Sequence, residues 1–251
     1  MQPISIVIIC KNEEDIIGQT LQSLQGISDD IVVYDNGSTD TTAEVVKSYP
    51  VRFHQGLWEG FGRTKNKAND LAKHDWILSL DADESLDDEV KQALKQFQPD
   101  SEKTVYEVKF KNFLGKKYLK YGEWGRDAHI RLFNRKHVNW NDAPVHEELQ
   151  VPADAVVKKL KGAVLHQTMT DIDDYAKKMT KYAMMNAEKY FQQGKKASFF
   201  KIRMSPRFAF FQNFILRLGF LDGHAGYVCA RMTSYYTFLK YARLRELWNE
   251  K

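Results

Sequence analysis

Over its first hundred residues the chain switches repeatedly between short apolar runs and segments with helical spacing. That alternation constrains the fold more than any other feature. Ile4–Cys10 is a nearly unbroken apolar run, whereas residues 13–24 place Ile16, Ile17, Thr20, Leu21 and Leu24 at helical spacing. Residues 30–35, 51–54 and 76–80 read as further strands, and residues 41–48, 61–73 and 87–97 as helices. A strict β-α alternation predicts a mostly parallel α/β sheet covered by helices on both faces. In such sheets ligands sit beyond the carboxyl ends of the strands, so the polar groups just after each strand are the candidates.

The middle of the chain changes character. Shorter strand-like pieces at 105–110, 130–133, 155–160 and 163–165 alternate with turns crowded with aromatic and charged side chains. From Thr170 the pattern becomes helical. Thr170 and Asp173 resemble a capping box, and Ile172, Tyr175, Ala176, Met179, Ala183, Ala187 and Tyr190 share one face as far as a break at Gly194. The expected division is a catalytic domain over 1–168, with halves 1–100 and 101–168, and a helical region over 169–251.

Two cysteines without a C-x-x-C pattern suit a reducing, cytoplasmic compartment, with Cys10 and Cys229 as small buried apolar residues. The N-terminus has no basic n-region, its apolar run is too short for a signal segment, and no apolar stretch reaches the about 18 residues of a membrane span.

Charge is distributed unevenly. Residues 195–251 hold eleven Lys or Arg against three Asp or Glu, together with thirteen of the thirty-two aromatic residues. Between 199 and 221, Phe199, Phe200, Phe208, Phe210, Phe211, Phe214, Ile215, Leu218 and Phe220 stand among Lys201, Arg203, Arg207 and Arg217. Such interleaving suits an anionic membrane surface, the alternative being an ordinary basic helical face. No nucleic-acid-binding motif is present, and no nucleic-acid partner is expected.

Asp81-Ala82-Asp83-Glu84 follows the strand at 76–80. Two carboxylates two residues apart at a sheet edge suit a hard divalent cation, Mg²⁺ or Mn²⁺; the competing reading makes Asp83 or Ser85 the cap of the next helix. Asp35-Asn36-Gly37-Ser38-Thr39-Asp40 follows the second strand and offers short acceptors to a base or ribose, or else a plain turn with Ser38 or Asp40 as cap. Lys11-Asn12-Glu13-Glu14 closes the first strand, and His146-Glu147-Glu148 puts carboxylates in the less regular half. Neither G-x-G-x-x-G nor a P-loop occurs.

Lys11-Asn12-Glu13-Glu14, Asp35 to Asp40, Lys65-Asn66 and Asp81-Ala82-Asp83 together resemble family 2 glycosyltransferases. Trp58-Glu59-Gly60-Phe61-Gly62, Asn141 to Glu147 and Gly219-Phe220-Leu221-Asp222-Gly223 resemble the branch that adds glucose to the bacterial lipopolysaccharide inner core. The resemblance implies a GT-A fold with a Rossmann-like N-terminal half, a UDP-sugar donor and inversion at the anomeric carbon. It places Lys11, Glu13, Asp35, Asn36, Lys65, Asn66 and Asp81 against the nucleotide sugar, with Lys65 where an Arg is common and Asn36 where many relatives carry a second Asp. It places Asp81, Asp83 and His166 at the metal, and the base at Glu147. Trp124, Asp127 and Arg131 precede the base motif and are candidates for the acceptor side, the alternative being packing and a surface ion pair. The implied acceptor is a lipid-linked core glycan at the inner face of the cytoplasmic membrane, with the protein peripheral to it.

Two other functions compete. A transferase acting on a polyprenyl phosphate shares the donor half, but its nucleophile is already anionic and needs no base. A donor-binding membrane adaptor without catalysis has no use for Asp81, Asp83 and Glu147 together.

Overall fold

A computed structural model describes residues 2–142 and 148–250. They fall into two compact units, Met1–Phe110 with Ala128–His166, and Lys111–Asp127 with Gln167–Lys251. Residues 111–127, grouped from the sequence with an acceptor half, cluster with the C-terminal helices because Leu119 and Trp124 pack with Met169, Tyr175 and Cys229.

In the first unit, β1 (Ile4–Cys10), β2 (Ile31–Asp35), β3 (Arg52–Gln55) and β4 (Trp76–Asp81) run parallel in the order β3-β2-β1-β4. All of β1 and β2 is buried, which is why these strands read as continuous apolar runs rather than as alternation. The helices α1 (Ile17–Ser23), α2 (Thr42–Lys47), α3 (Phe61–Asp70) and α4 (Asp88–Lys95) follow successive strands. Alternate strand residues divide between the two faces. Ile6, Ile8, Leu78 and Leu80 pack with Ile17, Leu21, Val90 and Leu94, while Val7, Ile9, Val32 and Ile77 pack with Ala68, Ala72 and Phe133. The α/β fold with a mostly parallel N-terminal half is the one the sequence predicts.

An antiparallel extension continues the sheet through β8 (Ala128–Asn134), β6 (Thr104–Leu114), β11 (Val156–Met169) and β5 (Glu84–Leu86). Beside it, β9 (Asn139–Trp140) and β10 (Leu149–Gln150) form a separate pair. Two differences from the sequence reading matter for the site. First, β11 is one strand of fourteen residues, not two short ones. Gly162, in the gap between the two expected pieces, sits at φ +93°, and a Cβ there would lie 2.4 Å from the Val90 nitrogen. Only glycine lets the strand pass the start of α4 this closely. Second, β5 is a short strand absent from the sequence reading; it pairs with β11 and sets Glu84 opposite His166.

In the second unit, β7 (Lys117–Tyr118) folds back on the end of β6. The unit's longer helices are α5 (Ile172–Gln192), α6 (Phe199–Phe211) and α7 (Gly223–Asn249). The cap of α5 lies one residue later than predicted: Asp171 accepts from the Asp174 N–H at 2.8 Å, and Asp174 accepts from the Thr170 N–H at 3.1 Å. Tyr175, Ala183 and Ala187 are buried as the periodicity requires, but Ile172, in the first turn, is exposed. Asp222 is buried and accepts from the Lys120 and Tyr121 N–H groups at 2.9 and 2.8 Å. Cys10 and Cys229 are free and buried. Burial pushes both thiols up, Cys229 to about 12. Among the described residues no helix is long and apolar enough to cross a membrane.

Candidate functional site

The carboxyl end of β4 delivers Asp81, the turn after it Asp83, and the start of β5 Glu84. The helix after them is capped by Asp87, whose carboxylate accepts from the Val90 N–H at 3.0 Å. Neither Asp83 nor Ser85 performs that structural task, which leaves Asp83 free for another.

Asp81 lies between two cations. Its Oδ1 is 3.2 Å from Lys65 Nζ, and its Oδ2 accepts from Arg131 Nη2 at 2.9 Å. Lys65 reaches it from α3, buried, with its ammonium 4.5 Å from the centre of the Trp140 ring. Arg131 reaches it from β8 and also donates to Glu84, which is fully buried. Glu84 in turn accepts from the Asp81 N–H at 3.0 Å. Burial alone disfavours a charged Asp81, but Lys65 and then Arg131 outweigh it and hold the carboxyl far below the usual range. Burial dominates at Glu84 and pushes it up to about 7 despite Arg131.

Asp83 has a different partner. His166 Nε2, on β11, is 3.3 Å from Asp83 Oδ2, with both side chains partly exposed. Burial works against a charged His166, but the Asp83 hydrogen bond and charge raise its pKa above the ordinary value. The ring is steered by an edge contact with Phe110 at 5.8 Å.

The loops after β1 and β2 are stitched together. Asn12, at φ +55°, accepts from the Thr39 N–H at 2.8 Å and takes the Ser38 hydroxyl as acceptor for its own N–H at 2.9 Å. The Glu13 N–H donates to the Thr42 hydroxyl at 2.8 Å. Asp35 is buried, accepting from the Ser38 N–H at 3.2 Å and from Gln55 Nε2 at 3.1 Å. Asn36 donates to the Cys10 carbonyl at 3.3 Å, and its buried Oδ1 meets no donor among the described residues. Lys11 is exposed at the rim of these loops.

A cleft of about 640 Å³ is lined by Lys65, Asp81, Glu107, Arg131, Trp140 and Glu148, among others. That is the size of a small-ligand site. Asn66 stands behind it, donating to the Trp140 carbonyl at 2.9 Å and accepting from the Trp140 N–H at 3.0 Å. The expected base, Glu147, lies outside the described residues, as does His146. Of the three acceptor-side candidates, Arg131 is buried between Asp81 and Glu84. Trp124 and Asp127 belong to the second unit, where Trp124 Nε1 donates to the Tyr175 hydroxyl at 3.1 Å and Asp127 accepts from Asn112 Nδ2 at 3.0 Å.

Sequence reasoning missed the Arg131–Glu84 pair and the Trp140 face over Lys65. One signal was available: an arginine in the middle of the strand Ile130-Arg131-Leu132-Phe133 must find a buried counter-charge. Removing one partner of such a pair costs about 3–5 kcal/mol, because it leaves the other charge buried alone. Arg131→Met should therefore unfold in urea with a loss of that order, and Arg131→Met with Glu84→Gln should lose less than the two single changes summed. An unchanged urea midpoint for Arg131→Met would show that the pair contributes nothing to stability.

Among the described residues no three His, Cys, Asp or Glu side chains converge into a metal cage. The donor set does fit a two-ligand site. Asp83 and His166 present one oxygen and one nitrogen, and Mg²⁺ or Mn²⁺ in such sites completes its shell with phosphate oxygens and water. Both oxygens of Asp81 face cations, so a metal bound there would share them with Lys65 and Arg131.

Residues 5–144 match the family described as glycosyl transferase family 2. The lipopolysaccharide core biosynthesis glycosyltransferase LpsC of Rhizobium meliloti is 30% identical over 96% of this chain and 92% of its own length. Among solved structures, S. aureus TarS in complex with UDP is similar over 99% of this chain and 92% of that chain, at 14% identity and a TM-score of 0.48. The glucosyl-3-phosphoglycerate synthase of Mycobacterium tuberculosis, solved with Mn²⁺ and UDP, is similar over 45% of this chain and 44% of that chain, at 22% identity and a TM-score of 0.37.

Proposed function

The chain belongs to glycosyl transferase family 2, and on that premise we propose that it is an inverting, metal-dependent hexosyltransferase. It moves a hexose, glucose by resemblance, from a UDP-sugar to a hydroxyl of a lipopolysaccharide core or related lipid-linked glycan. The observation that carries this reading is the convergence of Lys65, Asp81, Asp83, Arg131 and His166 at the carboxyl end of β4, beside a cleft of ligand size.

In this reading Lys11, Glu13, Asp35 and Asn36 hold the nucleoside. The unmet acceptor on Asn36 supports a contact with a base N–H. Lys65 serves the diphosphate as a point charge, with Asn66 fixing the Trp140 backbone beneath it. Asp81 takes the ribose or the metal edge, and Asp83 with His166 holds Mg²⁺ or Mn²⁺. The metal supplies charge neutralisation for the departing diphosphate. Glu147 removes the proton of the acceptor hydroxyl as that oxygen bonds to the anomeric carbon. The bond from this carbon to the diphosphate oxygen breaks, and UDP leaves with the electron pair. A single displacement of this kind inverts the configuration. The lipid anchor of the acceptor would set the reaction at the inner face of the cytoplasmic membrane, with the protein peripheral to it.

A panel of nucleotide sugars, assayed with and without divalent metal, tests the proposal. Hydrolysis or transfer should favour a UDP-hexose and cease with chelator. Equal turnover with chelator, or no turnover of any UDP-sugar with metal, would overturn it.

A further inference from the structure

Helix α6 has two apolar sides, and only one of them is packed. Toward α7 it presents Phe210, whose ring lies 5.9 Å from that of Tyr227, and a buried Pro206; the following turn adds Phe214 at 5.8 Å from the same tyrosine. Phe200, Met204, Phe208 and Phe211 recur at spacings of four, four and three, which a 3.6-residue turn gathers into one stripe. All four are exposed, Phe200 by 72% and Phe208 by 59%. The exposed apolar surface continues through Ile215, Leu216, Leu218, Phe220 and Leu221 after the helix. So dense a set of exposed large apolar side chains in one stretch of chain marks an interaction surface rather than scattered surface hydrophobes.

The charges around the stripe identify what covers it. Residues 195–221 contain six Lys or Arg and no Asp or Glu. Arg203 and Arg207 lie one helical turn apart, a repulsive spacing, and among the described residues neither pairs with a carboxylate. Between α6 and α7 a groove of about 840 Å³ is lined by Phe199, Ile202, Arg203, Arg207, Arg231 and Phe238, and by no acidic residue. A second copy of the chain is a poor occupant, because a two-fold contact sets these cations against themselves. An apolar stripe flanked by unpaired cations fits a surface that is apolar inside and anionic at its rim.

We infer that α6 and the turn after it form an interfacial anchor that lies in the plane of an anionic phospholipid bilayer. Phe200, Met204, Phe208 and Phe211 enter the acyl boundary, and Arg203, Arg207 and Arg217 rest among the lipid phosphates. This deepens the proposed membrane-side setting. Its test uses neither donor nor acceptor, so the anchor and the transferase reading can fail separately.

The full chain is sedimented with vesicles of phosphatidylcholine alone and with phosphatidylglycerol added. Binding should require phosphatidylglycerol and weaken as salt rises. Each cation contributes about fivefold, so Arg203→Gln, Arg207→Gln and Arg217→Gln together should weaken partitioning roughly a hundredfold. Phe200→Ser with Phe208→Ser should also release the protein. A tryptophan introduced by Phe208→Trp should be quenched by lipids brominated in their acyl chains. Circular dichroism confirms that each variant is folded. Folded wild-type protein that ignores anionic vesicles at low salt would overturn the inference. So would vesicle binding unaffected by the serine changes, or a stable dimer that Phe208→Ser dissociates while vesicles are ignored.

Discussion

Asp83→Ala should abolish sugar transfer and remove the metal-dependent part of UDP affinity, while leaving the fold intact. The two halves of this expectation rest on different observations. Asp83 is partly exposed, caps no helix and has His166 as its ion-pair partner, so its loss removes little that the fold depends on. A surface change away from such features shifts stability by about 0.5 kcal/mol or less, and the melting temperature should barely move. Its carboxylate is nevertheless the oxygen of the end of β4 that no lysine or arginine already engages, since both oxygens of Asp81 face Lys65 and Arg131. A cation that Asp83 would help to hold loses an anionic protein ligand, and UDP should bind nearly equally with and without metal. Calorimetric titration of UDP with and without Mg²⁺ or Mn²⁺ measures this directly. His166→Ala should move affinity in the same direction by a smaller factor, because it removes a neutral donor. An active Asp83→Ala enzyme, or one that keeps its metal-dependent UDP affinity, would sink the metal assignment.

How much of this was legible in the sequence follows from the range of the interactions. The parallel half could be read because β1, β2 and β4 are buried on both faces and so appear as local apolar runs, each followed by its helix. The Asp81-Ala82-Asp83 turn could be read for the same reason: it lies directly after such a run. What joins it to its partners is not local. Glu84 becomes buried only because a three-residue strand pairs with β11, some eighty positions later, and that pairing also brings His166 toward Asp83. The sequence gives no sign of a strand so short. The division of β11 into pieces at 155–160 and 163–165 has a related cause, since the close approach of Val90 that requires Gly162 inside the strand is not local in sequence. Arg131 stood as an acceptor-side candidate or a surface ion pair because it precedes the base motif; its buried partners, far away in sequence, were not visible. The outward face of α6 was legible only as composition; which aromatics pack on α7 and which stay exposed is a property of the folded helix pair.

Glu147→Gln should lower turnover by roughly a hundredfold or more while UDP-sugar binding survives, because glutamine keeps the shape of the side chain and cannot accept a proton. Glu147 lies outside the described residues, so this expectation comes from the Ala143-Pro144-Val145-His146-Glu147 motif and the chemistry, with the flanking structure as its frame. The frame is informative. Trp140 and Leu149 pair across β9 and β10, and Trp140, Glu148 and Leu149 all line the cleft that contains Lys65 and Asp81. The described residues on either side of the motif therefore both line that cleft. Glu148 is the rival carboxylate, exposed there and tied through its backbone to Asn141. Measuring turnover and donor affinity for both glutamine variants separates them: a large loss at Glu148 with a mild one at Glu147 would move the base by one residue. The same pair of variants discriminates between acceptors. A sugar hydroxyl must lose its proton as it attacks, whereas a polyprenyl phosphate is already an anion, so near-normal turnover in both variants would point to a phosphate acceptor. With a hydroxyl acceptor the defect should be confined to the chemical step, visible as a fall in kcat with the donor KM little changed.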